Sequence, residues 1–315
     1  VARVLITRHL PAGGTDPLLA AGHEVLQRPT DEPYDPAALA AAAPGVDAVV
    51  CLLTDRIDQA VLSAGAAGDL KVVGNVAVGY DNIDVAAATA LGVAVCNTPG
   101  VLDRTTADLA FFLVMAALRQ TSTAEQDLRA GRWVGWGISD HLGLDVHGAV
   151  LGLVGYGRIG REVARRAEGF GMEVLHHARN DTGFPGYVAA LDDLLAAVDA
   201  VSLHVPLTPD TAHLIGPDQL ARMKPGAVLV NTARGPVVDE EALADALEAG
   251  TIHGAGLDVF EGEPRVNPRL LAAPRTVLLP HVGSATVATR TKMARLACDG
   301  VVEVLAGGRP ANLVT

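Results

Sequence analysis

The chain has 315 residues, more than the roughly 100 to 200 of a usual single domain, so two domains are expected. Half of its residues are hydrophobic but only 3% are aromatic, so the interior must be built from Ala, Val and Leu, which suits an α/β protein. A formal charge of −12 without any cluster of Lys and Arg argues against nucleic acid as a partner. The three scattered cysteines and ten histidines without ligand spacing argue against a disulfide framework or a metal site.

From the N-terminus, nothing resembles a basic n-region followed by an apolar h-region. The longest apolar run, LAFFLVMAAL at 109–118, is far short of the roughly 20 residues that a membrane span needs, so a buried helix of a cytoplasmic enzyme is expected there, with no membrane contact. Short apolar runs (RVLIT at 3–7, HEVLQ at 23–27, DAVVCLL at 47–53, KVVGNV at 71–76, VAVCN at 93–97) alternate with Ala-rich helical stretches at 37–43 and 84–91, which predicts βαβ units and a parallel sheet. A longer helix is predicted over about 103–119, and the glycine-rich stretch 129–148 predicts no regular element. Alternation restarts at AVLGLVGYG, with further strands at MEVLHH, AVSLHV, AVLVN, GAGLDV and TVLLP. Two doubly wound parallel-sheet domains follow from this pattern. The last 30 residues read as helix, and pattern alone does not say which domain they join.

The segment VLGLVGYGRIGREVARR runs an apolar strand into Gly155, Gly157 and Gly160 and then into a helix, which is the context that a dinucleotide fingerprint requires. The first glycine permits a tight turn, the second lets backbone approach a pyrophosphate, and the third lets helix and strand pack closely. About 20 residues further on, the second strand of such a unit usually ends in an acid that bonds the adenosine ribose. Here VLHHARND ends the strand with Ala178 and Arg179, and Glu173 lies at the strand's beginning. Loss of the acid removes repulsion of a 2′-phosphate, and Arg179 offers a guanidinium fork to phosphate oxygens, so NADP(H) is expected in preference to NAD(H).

The blocks NTARGPVVDEEAL (231–243), GAGLDVFEGEP (254–264) and LLPHVGSAT (278–286) resemble the three signature blocks of the D-isomer-specific 2-hydroxyacid dehydrogenases. VAVGYDNID, TPGVLDRTTADLA and SLHVPLTPDT are similar to that family too, so the likeness covers nearly the whole chain. Within the family, GVLDRTTADLA, GRWVGW and the strand end lacking its acid look most like glyoxylate/hydroxypyruvate reductases. The resemblance implies a discontinuous flavodoxin-like substrate domain (1–98 and 287–315) and a Rossmann domain (99–286). It also implies reduction of small 2-oxo acids to D-2-hydroxy acids by hydride transfer. One departure is local: after EGEP the chain reads RVNPRLL where relatives often carry a longer loop with His-Pro before the leucines.

By the same resemblance, Arg234 clamps the substrate carboxylate and polarises the carbonyl. His281 is the proton donor in reduction, a role suited to an imidazole, and Glu263 hydrogen-bonds and orients its ring. Val78 and Gly79 present backbone amides to the carboxylate and Leu53 adds an apolar contact. Trp136, with Trp133 nearby, belongs to a loop that in these reductases crosses a homodimer interface and limits the neighbouring pocket; ordinary packing within one chain is the alternative. Asp258 faces the nicotinamide carboxamide and Arg158 lies beside the pyrophosphate. Thr106, Ile159, His204, Pro206, Thr211, Thr232, Ala233 and Gly283 complete the implied dinucleotide contacts. Two other readings stand beside this one: an NAD-linked dehydrogenase of another D-2-hydroxy acid such as 3-phosphoglycerate or D-lactate, and a non-enzymatic dinucleotide-sensing corepressor.

Overall fold

The computed structural model describes residues 1–28 and 30–315, which form two compact units: Val1–Leu102 with Ser284–Thr315, and Asp103–Gly283. In the first unit, strands β1 (Arg3–Ile6), β2 (Glu24–Gln27), β3 (Ala48–Cys51), β4 (Val72–Asn75) and β5 (Ala94–Cys96) form a parallel sheet in the order β2-β1-β3-β4-β5. This is the flavodoxin-like order. The central strands AVVC and VVGN are buried at every position because helices cover both faces, which is why they read as unbroken apolar runs. The edge strand β2 keeps exposed Glu24 and Gln27 at its ends.

The helix Val287–Leu305 belongs to this first unit. It approaches β4 so closely that a Cβ on Gly74 would stand 2.8 Å from Val301 Cγ2. Beyond it, the Asn312 side chain donates to the Asn97 carbonyl (2.7 Å) and the Val314 amide to Val95 (2.7 Å), tying the C-terminal residues to β5.

The second unit carries β6 (Val150–Val154), β7 (Glu173–His177), β8 (Ala200–Leu203), β9 (Val228–Asn231), β10 (Gly254–Leu257) and β11 (Thr276–Leu278), all parallel, in the order β11-β10-β9-β8-β6-β7. The chain reverses its winding between β6 and β8, and ligands of such sheets bind beyond the carboxyl ends of the strands at that switch point. One face of the sheet packs on Leu194, Leu195, Leu243 and Leu247. The other packs on the helices Asp103–Leu118 and Arg158–Gly169 through Leu113, Val114, Val163 and Ala167. Each fully buried Leu contributes about 1.5–3 kcal/mol of transfer free energy, so aliphatic layers suffice without rings.

One helix, Thr121–Arg129, stands where the sequence predicts no element. None of its residues is buried, and Ala124 and Leu128 are its only apolar positions, too few for periodicity to announce a helix. Of the stretch 129–148, Arg129 ends this helix and residues 130–148 hold no helix or strand. Their aromatic side chains do not pack within the chain: Trp133 is 56% and Trp136 81% exposed, and Leu128, Val134, Ile138 and Leu142 are exposed with them. Among the described residues no helix is long and apolar enough to cross a membrane, and no group of His, Cys, Asp or Glu is placed to hold a metal ion.

Candidate active site

The glycine loop joins β6 to the helix Arg158–Gly169. Gly155 has φ +97°, and a Cβ there would lie 2.6 Å from the His204 carbonyl oxygen, so only glycine fits. The Gly155 amide donates to His177 O (2.9 Å) and the His204 amide to Val154 O (2.7 Å), pinning the turn between β7 and β8. A Cβ on Gly160 would stand 2.4 Å from the Gly155 carbonyl oxygen. Gly157 differs: a Cβ would meet nothing within 4 Å, and as N-cap it brings no side-chain acceptor to the first-turn amides. Open space over an uncapped helix N-terminus is what a pyrophosphate requires, so these residues fit a dinucleotide.

Around the loop, Arg158 pairs with Asp103 (3.4 Å), whose carboxyl is raised by burial against the lowering effect of Arg158. Ile159 packs inward against the helix layer. The Thr211 hydroxyl donates to Pro206 O (2.6 Å) and accepts from the Thr208 amide (2.8 Å), closing the turn after β8. His204 is half-buried with Nε2 3.0 Å from Ser202 Oγ, and burial pushes its imidazole down to about 4. The Thr232 hydroxyl is buried without a hydrogen-bond partner among the described residues. At the end of β7, Ala178 is half-buried and accepts from Tyr187 (3.4 Å), while Arg179 is exposed. Behind them, buried His176 stacks on Tyr156 of the glycine loop (centroids 3.8 Å) and lies 2.6 Å from Thr182 Oγ1, which shapes the segment after the strand.

Three loops at the carboxyl ends of β9, β10 and β11 carry the remaining groups. After β9, buried Asn231 donates through Nδ2 to the Arg234 carbonyl (2.8 Å) and accepts from the Ala233 amide (3.0 Å), so the motif's own first residue folds the loop that presents Arg234. Arg234 is half-buried and donates to Ala233 O (2.8 Å). After β10, the buried Asp258 carboxylate accepts from the amides of Val282 (2.7 Å) and Gly283 (2.8 Å), while its carbonyl accepts from the His281 amide (2.8 Å). Burial raises the Asp258 carboxyl, and those two amides only partly oppose the rise. Gly283 leaves room here: a Cβ would stand 3.2 Å from Asp258 and 3.5 Å from Thr106 Cγ2. Asp258, Thr106 and Gly283 are therefore neighbours.

Asp258 thereby sets the loop of His281, which takes the left-handed φ of +54° uncommon for a side-chained residue. The His281 Nδ1 lies 2.8 Å from Glu263 Oε2, although 18 residues separate them. Glu263 Oε1 accepts from the Phe260 amide (2.9 Å). Burial would raise the Glu263 carboxyl, but the hydrogen bond and charge of His281 outweigh it. The Phe260 amide and the Arg234 charge add to the lowering, and the net effect leaves Glu263 ionised below the usual range. A carboxylate held ionised against one ring nitrogen fixes the imidazole's orientation.

In the first unit, the Val78 carbonyl accepts from Asn97 (2.8 Å) and the Gly79 carbonyl from buried Asn75 (2.8 Å), so both peptides are held by side-chain amides. Leu53 lies in the turn fixed by buried Asp55, which accepts from the Leu52 amide (2.9 Å) and the Thr7 hydroxyl (2.5 Å). Asn231, Asn75, Asn97 and Asp55 are positioning residues that the sequence did not single out. An Asn at or just past the end of β4, β5 and β9 was the available signal for three of them, whereas Asp55 lies four residues beyond β3.

The profile of the D-isomer specific 2-hydroxyacid dehydrogenase NAD binding domain matches residues 111–283. The chain is 47% identical to a glyoxylate reductase of Korarchaeum cryptofilum over 99% of this chain and 95% of that one. Among solved structures, a protein of Thermus thermophilus known as TT0316 has a TM-score of 0.93 at 43% identity, covering 99% of this chain and 100% of that chain. The NADPH-dependent glyoxylate/hydroxypyruvate reductase of Sinorhizobium meliloti, in complex with NADP and malonate, has a TM-score of 0.88 at 37% identity, covering 99% and 96%. The chain belongs to the D-isomer specific 2-hydroxyacid dehydrogenase family. It is an NAD(P)-dependent oxidoreductase of that type, served by a nicotinamide dinucleotide.

Proposed function

We propose that this enzyme reduces small 2-oxo acids, glyoxylate and hydroxypyruvate foremost, to D-2-hydroxy acids, with NADPH preferred and NADH possible. The observation that carries the reading is the His281–Glu263 pair at 2.8 Å, with the Arg234 charge acting on the same carboxylate, in the unit that holds the glycine cradle. The glyoxylate reductases among its relatives support the substrate class. Bound in the cradle, the reduced nicotinamide supplies the hydride to the 2-oxo carbon. The protein's own residues do the rest. The Arg234 fork binds the substrate carboxylate and polarises the carbonyl. His281, with Nδ1 engaged by Glu263, donates a proton from Nε2 to the ketone oxygen and takes it back in oxidation. Leu53, Val78 and Gly79 are assigned to substrate contact on the family likeness.

On the dinucleotide, the amides beyond Gly157 hold the pyrophosphate beside Arg158 and Ile159. Thr106, Gly155, Gly160, His204, Pro206, Thr211, Thr232, Ala233, Asp258 and Gly283 line the rest. Ala178 and Arg179 receive the 2′-phosphate, since no acid opposes it at the strand end. The exposed apolar arm with Trp133 and Trp136 is covered in a homodimer, where Trp136 narrows the partner's substrate site.

Steady-state kinetics with glyoxylate, hydroxypyruvate and pyruvate against both nicotinamides tests this, using wild type and Arg179→Ala. NADPH should be favoured by about tenfold or more in kcat/KM, and the substitution should erase most of that preference, since a charge-assisted fork to phosphate is lost. Equal kcat/KM for both cofactors in the wild type would contradict the cofactor preference. Absence of turnover with every 2-oxo acid would contradict the substrate class.

A further inference from the structure

The loops of Arg234 and Glu263 meet behind the candidate site, and one residue outside the signature blocks touches both. His213 sits in the segment after β8. Its amide donates to the Pro236 carbonyl (2.8 Å), and the Ile215 amide continues the seam to Val237 O (3.1 Å), with Asp239 returning a bond to Ile215 O (3.0 Å). Its side chain turns the other way: Nε2 lies 2.8 Å from Glu261 Oε1, two residues before Glu263. The same Glu261 oxygen accepts from the Glu240 amide (3.3 Å), and buried Glu240 answers by accepting from the Glu261 amide (2.6 Å). Between these ties the two backbones are in direct contact, since a Cβ on Gly235 would stand 1.9 Å from the Phe260 carbonyl carbon.

Two features of His213 frame what the contact does. His213 holds φ +50°, a left-handed conformation that costs a side-chained residue roughly 1–2 kcal/mol. The His213–Glu261 contact is also half-exposed, 52% at His213 and 34% at Glu261, and contacts of that kind contribute little to global stability. What the imidazole does is fix Glu261, which together with Glu240 fixes the turn carrying Glu263 relative to the loop carrying Arg234.

We propose that His213 is a positioning residue for the oxo-acid reaction: through Pro236 on one side and Glu261 on the other, it sets the spacing between the carboxylate clamp and the His281–Glu263 proton donor. The inference rests on the roles proposed above for Arg234, Glu263 and His281.

Two substitutions separate position from fold. His213→Asn keeps a residue at ease in the left-handed region but withdraws the donor from Glu261, whereas His213→Gln places an amide near the position of Nε2. His213→Asn should lower kcat/KM for glyoxylate about tenfold to a hundredfold, mostly in kcat, with NADPH affinity unchanged, and His213→Gln should recover to within about threefold of wild type, because misplacement of reacting groups by about 1 Å has costs of this size. Amide hydrogen exchange over 235–240 and 259–264 should quicken in the Asn variant and recover in the Gln variant. Equal kinetics and equal exchange in the two variants would overturn the proposal, as would a loss confined to melting temperature or NADPH affinity. If wild type turns over no 2-oxo acid, the reaction assignment falls, while the exchange comparison still decides whether His213 holds the two loops.

Discussion

The least tolerant position in the candidate site is Gly235, next to the proposed clamp. With Phe260 backbone 1.9 Å from where a Cβ would stand, Gly235→Ala must push the two loops apart. Overpacking of this kind costs about 1–3 kcal/mol, visible as a lower urea midpoint, and kcat/KM should fall further than stability does; a variant with wild-type stability and activity would contradict the contact. Arg234→Lys keeps the charge but loses the planar fork, so kcat/KM for glyoxylate should drop by about a hundredfold or more, with NADPH affinity intact. At this scale motif resemblance named Arg234, Glu263 and His281, and the structure sets His281 Nδ1 2.8 Å from Glu263. The sequence was silent on the contacts that hold them. Nothing in NTARG says that the Asn231 amide folds the loop, or in TAHLIG that His213 reaches Glu261, because those bonds join side chains to backbone across turns that only the folded sheet brings together.

At the scale of elements, the strand-loop-helix of the dinucleotide fingerprint makes a test within one motif. Gly160→Ala places a Cβ 2.4 Å from the Gly155 oxygen and should lower the melting temperature, whereas Gly157→Ala meets nothing and should leave it unchanged. The Gly157 variant should instead weaken NADPH binding by about tenfold, measured by titration calorimetry, because its methyl occupies the space over the helix amides where a pyrophosphate lies. Wild-type affinity in Gly157→Ala would contradict that placement. Strands were the most legible elements, since burial on both faces turns each into an apolar run such as AVVC or VLVN. The helix Thr121–Arg129 was illegible for a different reason: it is nine residues long, buries nothing, and carries only Ala124 and Leu128 as apolar positions. The C-terminal helix was recognisable as a helix, but its place beside β4 depended on Gly74, whose close approach pattern does not announce.

For the whole molecule, acid should act through histidines kept neutral by the fold. Burial holds His204 at about 4 against an ordinary 6.5 and lowers His176 as well. Between those values the unfolded chain takes up a proton that the folded one refuses, so stability should be full above about pH 6.5 and decline as pH falls towards 4. Urea unfolding at pH 7 and pH 5 checks this, and His204→Gln should shrink the loss; an equal loss in both proteins would contradict it. The exposed arm around Trp136, 81% exposed in the single chain, should be covered in a sedimenting dimer, and Trp136→Ala should widen the range of 2-oxo acids accepted. An unchanged substrate preference in that variant would contradict its proposed part in the neighbouring site. The most direct measurement is the rate of NADPH oxidation by glyoxylate in wild type and His281→Asn, a change that preserves the left-handed backbone while removing the proton donor. The expected result is a fall in kcat/KM of about a hundredfold or more with NADPH affinity unchanged. A His281→Asn enzyme that still reduces glyoxylate at close to the wild-type rate would contradict the proposed chemistry.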